Sequence, residues 1–307
     1  MTNTHTARGI VWIDLQSPTE EEISSVVARY SLHPLVGEEL RDFTSHSKID
    51  FHDGYMLATL TIPERMKHGA VYRTIDKEID FVVGKNFLIT NHKDSIEQLE
   101  YFAKVFETNS ILNKDSKIVS TAHLFYFMVI RIYAGICDDL RNIRDGLKNA
   151  ENHIFNGNEQ KMVEALSNLS RELIDFREIA RTHREVWDDM LEHGGKSFFG
   201  QEFHPYMRSI HDEFNRLHEL IQNSRELVSD LRETNDSLLN TKQNNIIRSL
   251  TIINFIFIPA TFIAALFTIP ASYVPLVDSD VGWTIIFAGM ALITLVIWAV
   301  IKKKGWL

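Results

Sequence analysis

Four polar side chains recur at helical spacing in a part of the sequence that is otherwise mostly apolar. Asn244, Thr251, Asn254 and Thr261 follow one another at intervals of seven or three residues, so on a helix they share one face. Amide and hydroxyl oxygens can match the hydration of a passing cation. The pattern therefore favours ion passage along a helix, and it predicts that these four residues line a pore.

Apolar residues lie among these polar ones. Ile247, Leu250 and Ile258 complete the predicted pore lining and would form constrictions that close by dewetting. The alternative is that the asparagines and threonines only join neighbouring helices by hydrogen bonds. Polar residues in a membrane helix usually face protein or water, so the stripe as a whole favours a water-filled axis in an oligomer.

The polar stripe extends into the first of two runs that are long enough to cross a membrane. Arg248 and Asp278 enclose 29 uncharged residues, and Val281–Ile301 forms a second uncharged run. About 20 apolar residues cross a hydrocarbon core as a helix. The sequence therefore predicts a transmembrane hairpin over residues 249–307, with an external loop at 270–280.

Flanking charges orient this hairpin. Lys302, Lys303 and Lys304 follow the second run and predict a cytoplasmic basic ring, since the side richer in Lys and Arg is normally cytoplasmic. The loop contains Asp278 and Asp280 but no Lys or Arg. We expect both termini in the cytoplasm and the protein in the cell membrane, the inner membrane in a bacterium.

The composition of the whole chain hides the hairpin. A net charge of −9 and 24% charged residues are typical of a soluble acidic protein, and the acidity argues against nucleic acid as a partner. The sequence contains no nucleophile elbow, phosphate-binding loop, HExxH or CxxC pattern. We therefore expect neither an enzyme nor a covalently bound cofactor.

Residues 1–112 are predicted to form an α/β domain, within a chain whose overall class is α+β. Short apolar runs bounded by Gly, Asn and Asp predict strands at Ile10–Ile13, Tyr55–Ile62, Ile79–Val83 and Phe87–Thr90. One helix is expected to start at Ser17-Pro18-Thr19, where a capping side chain precedes acidic residues. Another is expected over Leu32–Leu40.

Residues 113–248 are predicted to form a cytoplasmic helical stalk. Helices are expected over Lys117–Ile154 and Gln160–His193, and a third is expected to run from His204-Pro205 into the membrane, on the order of 100 Å. We infer an oligomer with this third helix at its centre, because a helix this long cannot bury its apolar seam alone. The seam comprises Phe203, Met207, Ile210, Phe214, Leu217, Ile221, Val228, Leu231 and Leu238.

Several of these segments match one family. Asn244 with Arg248–Ile253 and Phe257–Ala264 resembles the first transmembrane helix of the CorA magnesium channels, and Lys302–Leu307 is similar to their lysine-rich tail. Upstream, matches to the family's cytoplasmic α/β domain occur at Trp12-Ile13-Asp14-Leu15, Leu32-His33-Pro34-Leu35 and Gly84-Lys85-Asn86-Phe87-Leu88. The resemblance implies a pentameric funnel of identical subunits in membrane lipid, with an axial pore that carries Mg²⁺ or another divalent cation.

The pore entrance departs from this family. CorA channels carry Gly-Met-Asn at the outer end of the first span, and the Asn ring binds a hydrated cation through side-chain oxygens. Thr268, Ile269 and Pro270 occupy the matching positions here. Pro270 has no side-chain oxygen and no N–H group. We expect altered selectivity among Mg²⁺, Co²⁺, Ni²⁺ and Zn²⁺, with Asp278 and Asp280 either forming an acidic entrance or serving only as loop residues.

The cytoplasmic metal site of the family departs as well. The family's stalk often carries Tyr-Phe-Arg-Asp, whose Asp binds a regulatory metal between subunits, whereas this chain has Tyr206-Met207-Arg208-Ser209. Asp212 is the nearest acidic residue and therefore the candidate metal ligand. His211, His218 and Glu219 offer a zinc alternative, since the two histidines share a helix face, although such residues are more often ordinary surface residues.

Two hypotheses of different classes follow. The first is a CorA-type channel for divalent cations with altered selectivity. The alternative is a non-conducting, membrane-anchored scaffold or sensor that keeps the oligomeric architecture of such a channel. The direction of the polar stripe discriminates between them, because a stripe directed into contacts between subunits would favour the scaffold.

Overall fold

Six strands form one mixed sheet in the computed structural model, which describes residues 2–7, 9–42, 46–69, 71–111, 120–194, 198–268 and 281–304. The strands are β1 (Thr2–Ala7), β2 (Ile10–Gln16), β3 (Lys48–His52), β4 (Tyr55–His68), β5 (Val71–Gly84) and β6 (Phe87–His92). Their order is β1-β2-β6-β5-β4-β3. Among these six described strands, β2 and β6 pair in parallel and every other neighbouring pair is antiparallel.

Seven α-helices accompany the sheet in the described ranges. They are α1 (Glu20–Arg29), α2 (Pro34–Glu39), α3 (Glu97–Ile111), α4 (Thr121–Phe155), α5 (Glu159–Asp189), α6 (His204–Leu266) and α7 (Gly282–Lys303). A π-helical turn, Met190–Gly194, follows α5. The mixed sheet, the long helices and the apolar C-terminal helix confirm the predicted fold class.

The start of α1 has the expected capping chemistry. The Thr19 hydroxyl accepts a hydrogen bond from the backbone N–H of Glu22, and the Glu22 carboxylate accepts one from the backbone N–H of Thr19. This reciprocal capping box satisfies two backbone donors that the first helical turn leaves free. At α2, Pro34 occupies the first turn and the His33 ring caps the Leu35 N–H.

The sheet is buried on both faces near its centre. One face carries Leu57, Val82 and Ile89, which belong to the same buried cluster as residues of α1 and α2. On the other face, Phe81 meets Phe125 of α4 edge to face, with ring centroids 5.2 Å apart. Continuous apolar runs are expected for strands that are covered on both faces.

Three elements were not predicted from the sequence: β1, β3 and α3. Strand β1 is an edge strand with no buried residue, so its sequence needs no apolar alternation. Strand β3 is half-buried at the other edge. The β4–β5 hairpin is also longer than predicted, because its polar outer part continues the antiparallel register as far as His68 and Val71.

The seam of α6 is buried within one chain as far as Leu231. Phe214 is completely buried and its ring centroid lies 6.5 Å from that of Tyr133 on α4. Tyr206 of α6 contacts the rings of His123 and Tyr126, which also lie on α4. Burial of the seam as far as Leu231 therefore does not need other subunits, because helical periodicity shows which side is buried but not what covers it. The oligomer that was inferred from the seam stays a prediction.

The chain divides into two compact units, Met1–Arg232 and Glu233–Leu307. The first contains the sheet together with α1–α5, and α4 and α5 pack against its strands. The predicted boundaries at 112 and 248 are not tested by this division and stay predictions. In the second unit α7 is long and apolar enough to cross a membrane, as is the apolar part of α6.

Candidate functional site

One face of α6 in the membrane hairpin is covered within the chain. Ile252 is buried, while Ile256, Pro259, Ile263 and Phe267 are half-buried. These residues follow helical spacing and therefore form a single face. We call it the covered face of α6.

The predicted pore lining lies on the opposite side of the helix. At 100° per residue, the direction of the polar stripe is about 180° from that of the covered face. All seven predicted residues are exposed: Asn244, Ile247, Leu250, Thr251, Asn254, Ile258 and Thr261. The chain thus places them on one exposed helix face, and their role as a pore lining stays a prediction.

The polar residues of the stripe differ in how their hydrogen bonds are satisfied. The hydroxyls of Thr251 and Thr261 donate to the carbonyl oxygens of Ile247 and Phe257, each at 2.8 Å. Their oxygen lone pairs remain available to another group. The Asn254 side chain has no hydrogen bond to any described residue.

Helix α7 presents one narrow face to the rest of its unit. Gly282, Ile286 and Ile301 are buried, and Thr294 between them donates a hydrogen bond to the Met290 carbonyl. The other large apolar side chains of α7 are exposed, including Trp283, Phe287, Leu292, Leu295 and Trp298. This arrangement suits an outer helix that faces lipid.

The basic end of α7 follows directly from its sequence. Lys302 and Lys303 form the last helical turn and Lys304 is the C-cap residue. Lysine at this end interacts favourably with the negative end of the helix dipole. The Lys302 ammonium also lies over the Trp298 ring, 5.0 Å from its centroid.

Only one residue of the predicted pore entrance is described. Thr268 follows the end of α6, and its hydroxyl donates to the Ala265 carbonyl at 2.8 Å. Ile269, Pro270, Asp278 and Asp280 lie outside the described residues. The role of the entrance therefore stays a prediction.

The residues predicted for a cytoplasmic metal site are not gathered around a common point in the described ranges. The His211 ring pairs with Asp188 at 3.4 Å and contacts the Asn215 amide at 3.1 Å. Ser209 shares a 3.1 Å hydrogen bond with the hydroxyl of Tyr126. Asp212 is exposed, and within the described ranges no three His, Cys, Asp or Glu side chains are gathered as a metal site.

Residues 7–303 match the protein family described as CorA-like Mg²⁺ transporter protein. The chain belongs to this family. It is 24% identical over 302 residues to the cobalt/magnesium transport protein CorA of Thermotoga maritima, covering 96% of this chain and 83% of that protein. It is 25% identical over 304 residues to the putative metal ion transporter YfjQ of Bacillus subtilis, covering 96% and 89%.

The fold agrees with a solved member of the CorA family. The structure of the CorA magnesium transporter from Methanocaldococcus jannaschii superposes with a TM-score of 0.82 at 20% identity, covering 97% of this chain and 92% of that chain. The predicted resemblance is thereby confirmed. In a CorA-like transporter the two apolar helices are transmembrane helices, and ion transport is the general role of the family.

Sequence reasoning missed a group of buried polar residues in the sheet of this CorA-like protein. Asp80 on β5 accepts hydrogen bonds from the Thr59 hydroxyl at 2.7 Å and from the Asn91 amide at 2.9 Å. Burial raises the pKa of Asp80 from 3.8 to about 7. Polar residues at alternate positions of the otherwise apolar strands were the available signal.

A second missed group joins the sheet to α5. Arg65 on β4 forms a 2.6 Å ion pair with Glu172 on α5, and both side chains are nearly buried. The His183 ring lies between the Tyr133 hydroxyl and the Thr61 carbonyl, at 2.9 and 2.7 Å. Burial lowers the pKa of His183 from 6.5 to about 4, so this imidazole is neutral at pH 7.

Proposed function

We propose that this protein is a homo-oligomeric channel for divalent cations, with the stripe from Asn244 to Thr261 lining its axis. The observation that carries the proposal is the position of the stripe on the exposed side of α6, opposite the covered face. The CorA resemblance supports a pentamer.

The unpartnered Asn254 amide gives a physical reason for an axis. A polar side chain in hydrocarbon is costly, so it usually faces protein or water. Around an axis, the amide oxygens of several subunits would meet the water shell of a cation. The hydroxyl groups of Thr251 and Thr261 already donate to backbone carbonyls, which leaves their lone pairs to accept from the same water shell.

Apolar side chains on the same face provide the gate in this proposal. Ile247, Leu250 and Ile258 are each more than half exposed in the single chain. Where such side chains from several subunits meet, a narrow apolar segment excludes water and stops ions. A small outward movement of α6 would wet the segment again.

The names of the curated relatives support Mg²⁺ and Co²⁺ as transported ions. We place the protein in a bacterial inner membrane with both termini in the cytoplasm. The membrane potential then drives entry of cations into the cell, since each charge gains about 2.3 kcal/mol per 100 mV. We propose that the Thr268-Ile269-Pro270 entrance alters the ranking among Mg²⁺, Co²⁺, Ni²⁺ and Zn²⁺, because Pro270 offers only a backbone carbonyl as ligand. No cofactor is needed for this passage.

Ion flux into liposomes that contain the purified oligomer tests the proposal. We expect flux of divalent cations over Na⁺, reported by a dye inside the vesicle. The Thr261→Val variant keeps the side-chain shape but loses the hydroxyl, and we expect a several-fold lower flux. Thr284→Val is the matched control, because Thr284 is exposed on α7 and its hydroxyl bonds only to the Val281 carbonyl.

A second variant tests the entrance. Replacing Thr268-Ile269-Pro270 by Gly-Met-Asn is expected to shift the ranking towards Mg²⁺. Flux in this variant alone would mean that the pore is intact but lacks an effective entrance. If neither protein gives ion flux although the oligomer is shown to be assembled, the result would contradict the channel and favour the scaffold or sensor.

A further inference from the structure

An acidic cavity lies between the β4–β5 hairpin and α5, in the unit Met1–Arg232. It has a volume of about 320 Å³. Its polar lining consists of Thr61, Thr74, Asp76, Asp175, Glu178 and Thr182. All six side chains have oxygen atoms that can bind a cation or its water, and none carries a positive charge.

The register of the hairpin places the strand residues of this cavity on one side of the sheet. Thr61 pairs with Glu78, and Pro63 pairs with Asp76 in the antiparallel ladder. Thr74 lies two residues before Asp76 on β5 and therefore points to the same side. Helix α5 adds Asp175 and Glu178 from the other wall.

The Thr61 hydroxyl is the observation that indicates a ligand. Thr61 is 3% exposed, and its hydroxyl oxygen has no hydrogen-bond partner. Its backbone groups are satisfied, because the N–H donates to the Ser47 hydroxyl and the carbonyl accepts from His183. Buried hydroxyls nearly always have a partner, so a group that enters the cavity is expected to bind here.

The charges around the cavity indicate what kind of group this is. The Glu178 carboxylate pairs with the Arg181 guanidinium at 2.8 Å. Asp76 and Asp175 form no salt bridge with any residue that the structure describes. Two uncompensated carboxylates together with hydroxyl oxygens match a dication that prefers hard oxygen ligands.

We propose that this cavity binds one hydrated divalent cation of the Mg²⁺ class, apart from the conduction path. The carboxylates are not gathered closely enough for three of them to coordinate a metal directly. Mg²⁺ loses its water reluctantly and is often held by one or two carboxylates through a retained shell. Six waters occupy about 180 Å³ at about 30 Å³ each, which the cavity can hold.

The bound cation would stabilise the packing of α5 against the hairpin. It would neutralise Asp76 on the strand and Asp175 on the helix at the same time, and one of its waters would donate to the Thr61 hydroxyl oxygen. The site lies within one subunit. It does not depend on assembly of the oligomer or on conduction, so it goes beyond the proposed function.

The test counts Mn²⁺ bound to the full-length oligomer in detergent, by electron paramagnetic resonance, after removal of other metals. We expect the Asp76→Asn/Asp175→Asn protein to bind one Mn²⁺ fewer per subunit than the natural protein. Asp138→Asn/Asp145→Asn is the matched control, because it removes the same charge from exposed positions on α4. Equal Mn²⁺ counts in the natural protein and the Asp76/Asp175 variant would overturn the proposal.

Thermal unfolding in Mg²⁺ or Ca²⁺, against Na⁺ at equal ionic strength, provides a second readout. We expect the divalent ions to raise the melting temperature of the natural protein by several degrees and to leave the Asp76/Asp175 variant unchanged. Thr61→Val should weaken cation affinity roughly tenfold, as expected for a lost hydrogen bond, yet unfold no earlier than the natural protein without metal. A natural protein with no divalent-specific shift would show that only water fills the cavity, even if the channel conducts.

Discussion

Asparagine and threonine occur in both compact units, but they are satisfied in different ways. Asn91 in the sheet is completely buried and donates to the Leu40 carbonyl and to Asp80, both at 2.9 Å. Asn254 in the membrane hairpin is exposed and has no partner among the described residues. The Asn91 NH2 group therefore finds both of its acceptors within one chain, whereas the Asn254 amide is left for other subunits, water or ions.

The largest expected effect concerns the buried ion pair in the sheet unit. Glu172→Ala leaves the Arg65 guanidinium without its carboxylate in a nearly buried position. Breaking such a pair costs about 3–5 kcal/mol, so the melting temperature of the protein in detergent should fall sharply. The control is Arg141→Ala, which removes an exposed pair with Asp138 that contributes about 1 kcal/mol or less.

This substitution also sharpens the comparison between the two units. If the Arg65–Glu172 pair acts only within the sheet unit of one subunit, Glu172→Ala should leave the ion ranking of any protein that remains folded unchanged. A changed ion ranking in a variant of normal thermal stability would contradict the view that contacts in the sheet unit act independently of the hairpin.

The next effect depends on pH. Asp80 has a pKa of about 7 in the fold, against 3.8 for an ordinary Asp, because burial disfavours its charged form. The unfolded carboxyl loses its proton first as pH rises, so the stability from this group is full below pH 3.8 and is lost as pH rises through about 7. The total loss is about 4 kcal/mol at most.

Asp80→Asn should remove this dependence. His183 acts in the opposite direction, since its lowered pKa means that its contribution is lost as pH falls through about 4. The difference between the natural protein and the variant isolates Asp80, so melting temperatures should be compared across this pH range. If the melting temperatures of the two proteins change with pH in parallel, Asp80 is charged in the fold across this range.

A smaller effect is expected in the hairpin. Asn254→Leu removes the polar stripe side chain that has no partner among the described residues. In the proposed channel this amide faces the water around the axis, so we expect a several-fold lower flux of divalent cations into liposomes while the melting of the sheet unit stays unchanged. Normal flux together with faster subunit exchange between differently labelled oligomers would place Asn254 in contacts between subunits and contradict its position on the axis.

The smallest effect concerns the capping box of α1. Thr19→Ala should cost about 1 kcal/mol, because the Glu22 N–H loses its hydroxyl acceptor. Ser24→Ala in the same helix is the control, since the Ser24 hydroxyl donates to an ordinary helix carbonyl, that of Glu20, and accepts only a long, exposed hydrogen bond of 3.3 Å from the Arg41 guanidinium. Equal melting temperatures for the two variants would contradict the capping role.

These two units also differ in how far their sequences predict them. The uncharged runs and the capping residues act locally, so both the hairpin and the start of α1 could be predicted. Strand β1 could not, because an exposed edge strand needs no apolar pattern. The seam of α6 was correctly placed as buried, but the elements that cover it come from other parts of the chain.

The candidate site shows the same limit. Helical spacing predicted that Asn254 and Thr261 share a face, and the structure adds that the covered face lies opposite. The cavity at Asp76 and Asp175 could not be predicted, because those residues are about 100 positions apart and meet only when α5 packs on the hairpin. Spacing along one element is visible in a sequence, but contact between distant elements is not.

The backbone-bonded threonines of α6 have a consequence for the order of biogenesis. Because the Thr251 and Thr261 hydroxyls donate to their own helix, an isolated newly made hairpin presents few unsatisfied donors to lipid. Such a hairpin can enter the bilayer as a monomer before it meets another copy. Insertion and assembly then become separate steps, and the free Asn254 amide favours the second step only after the first is complete.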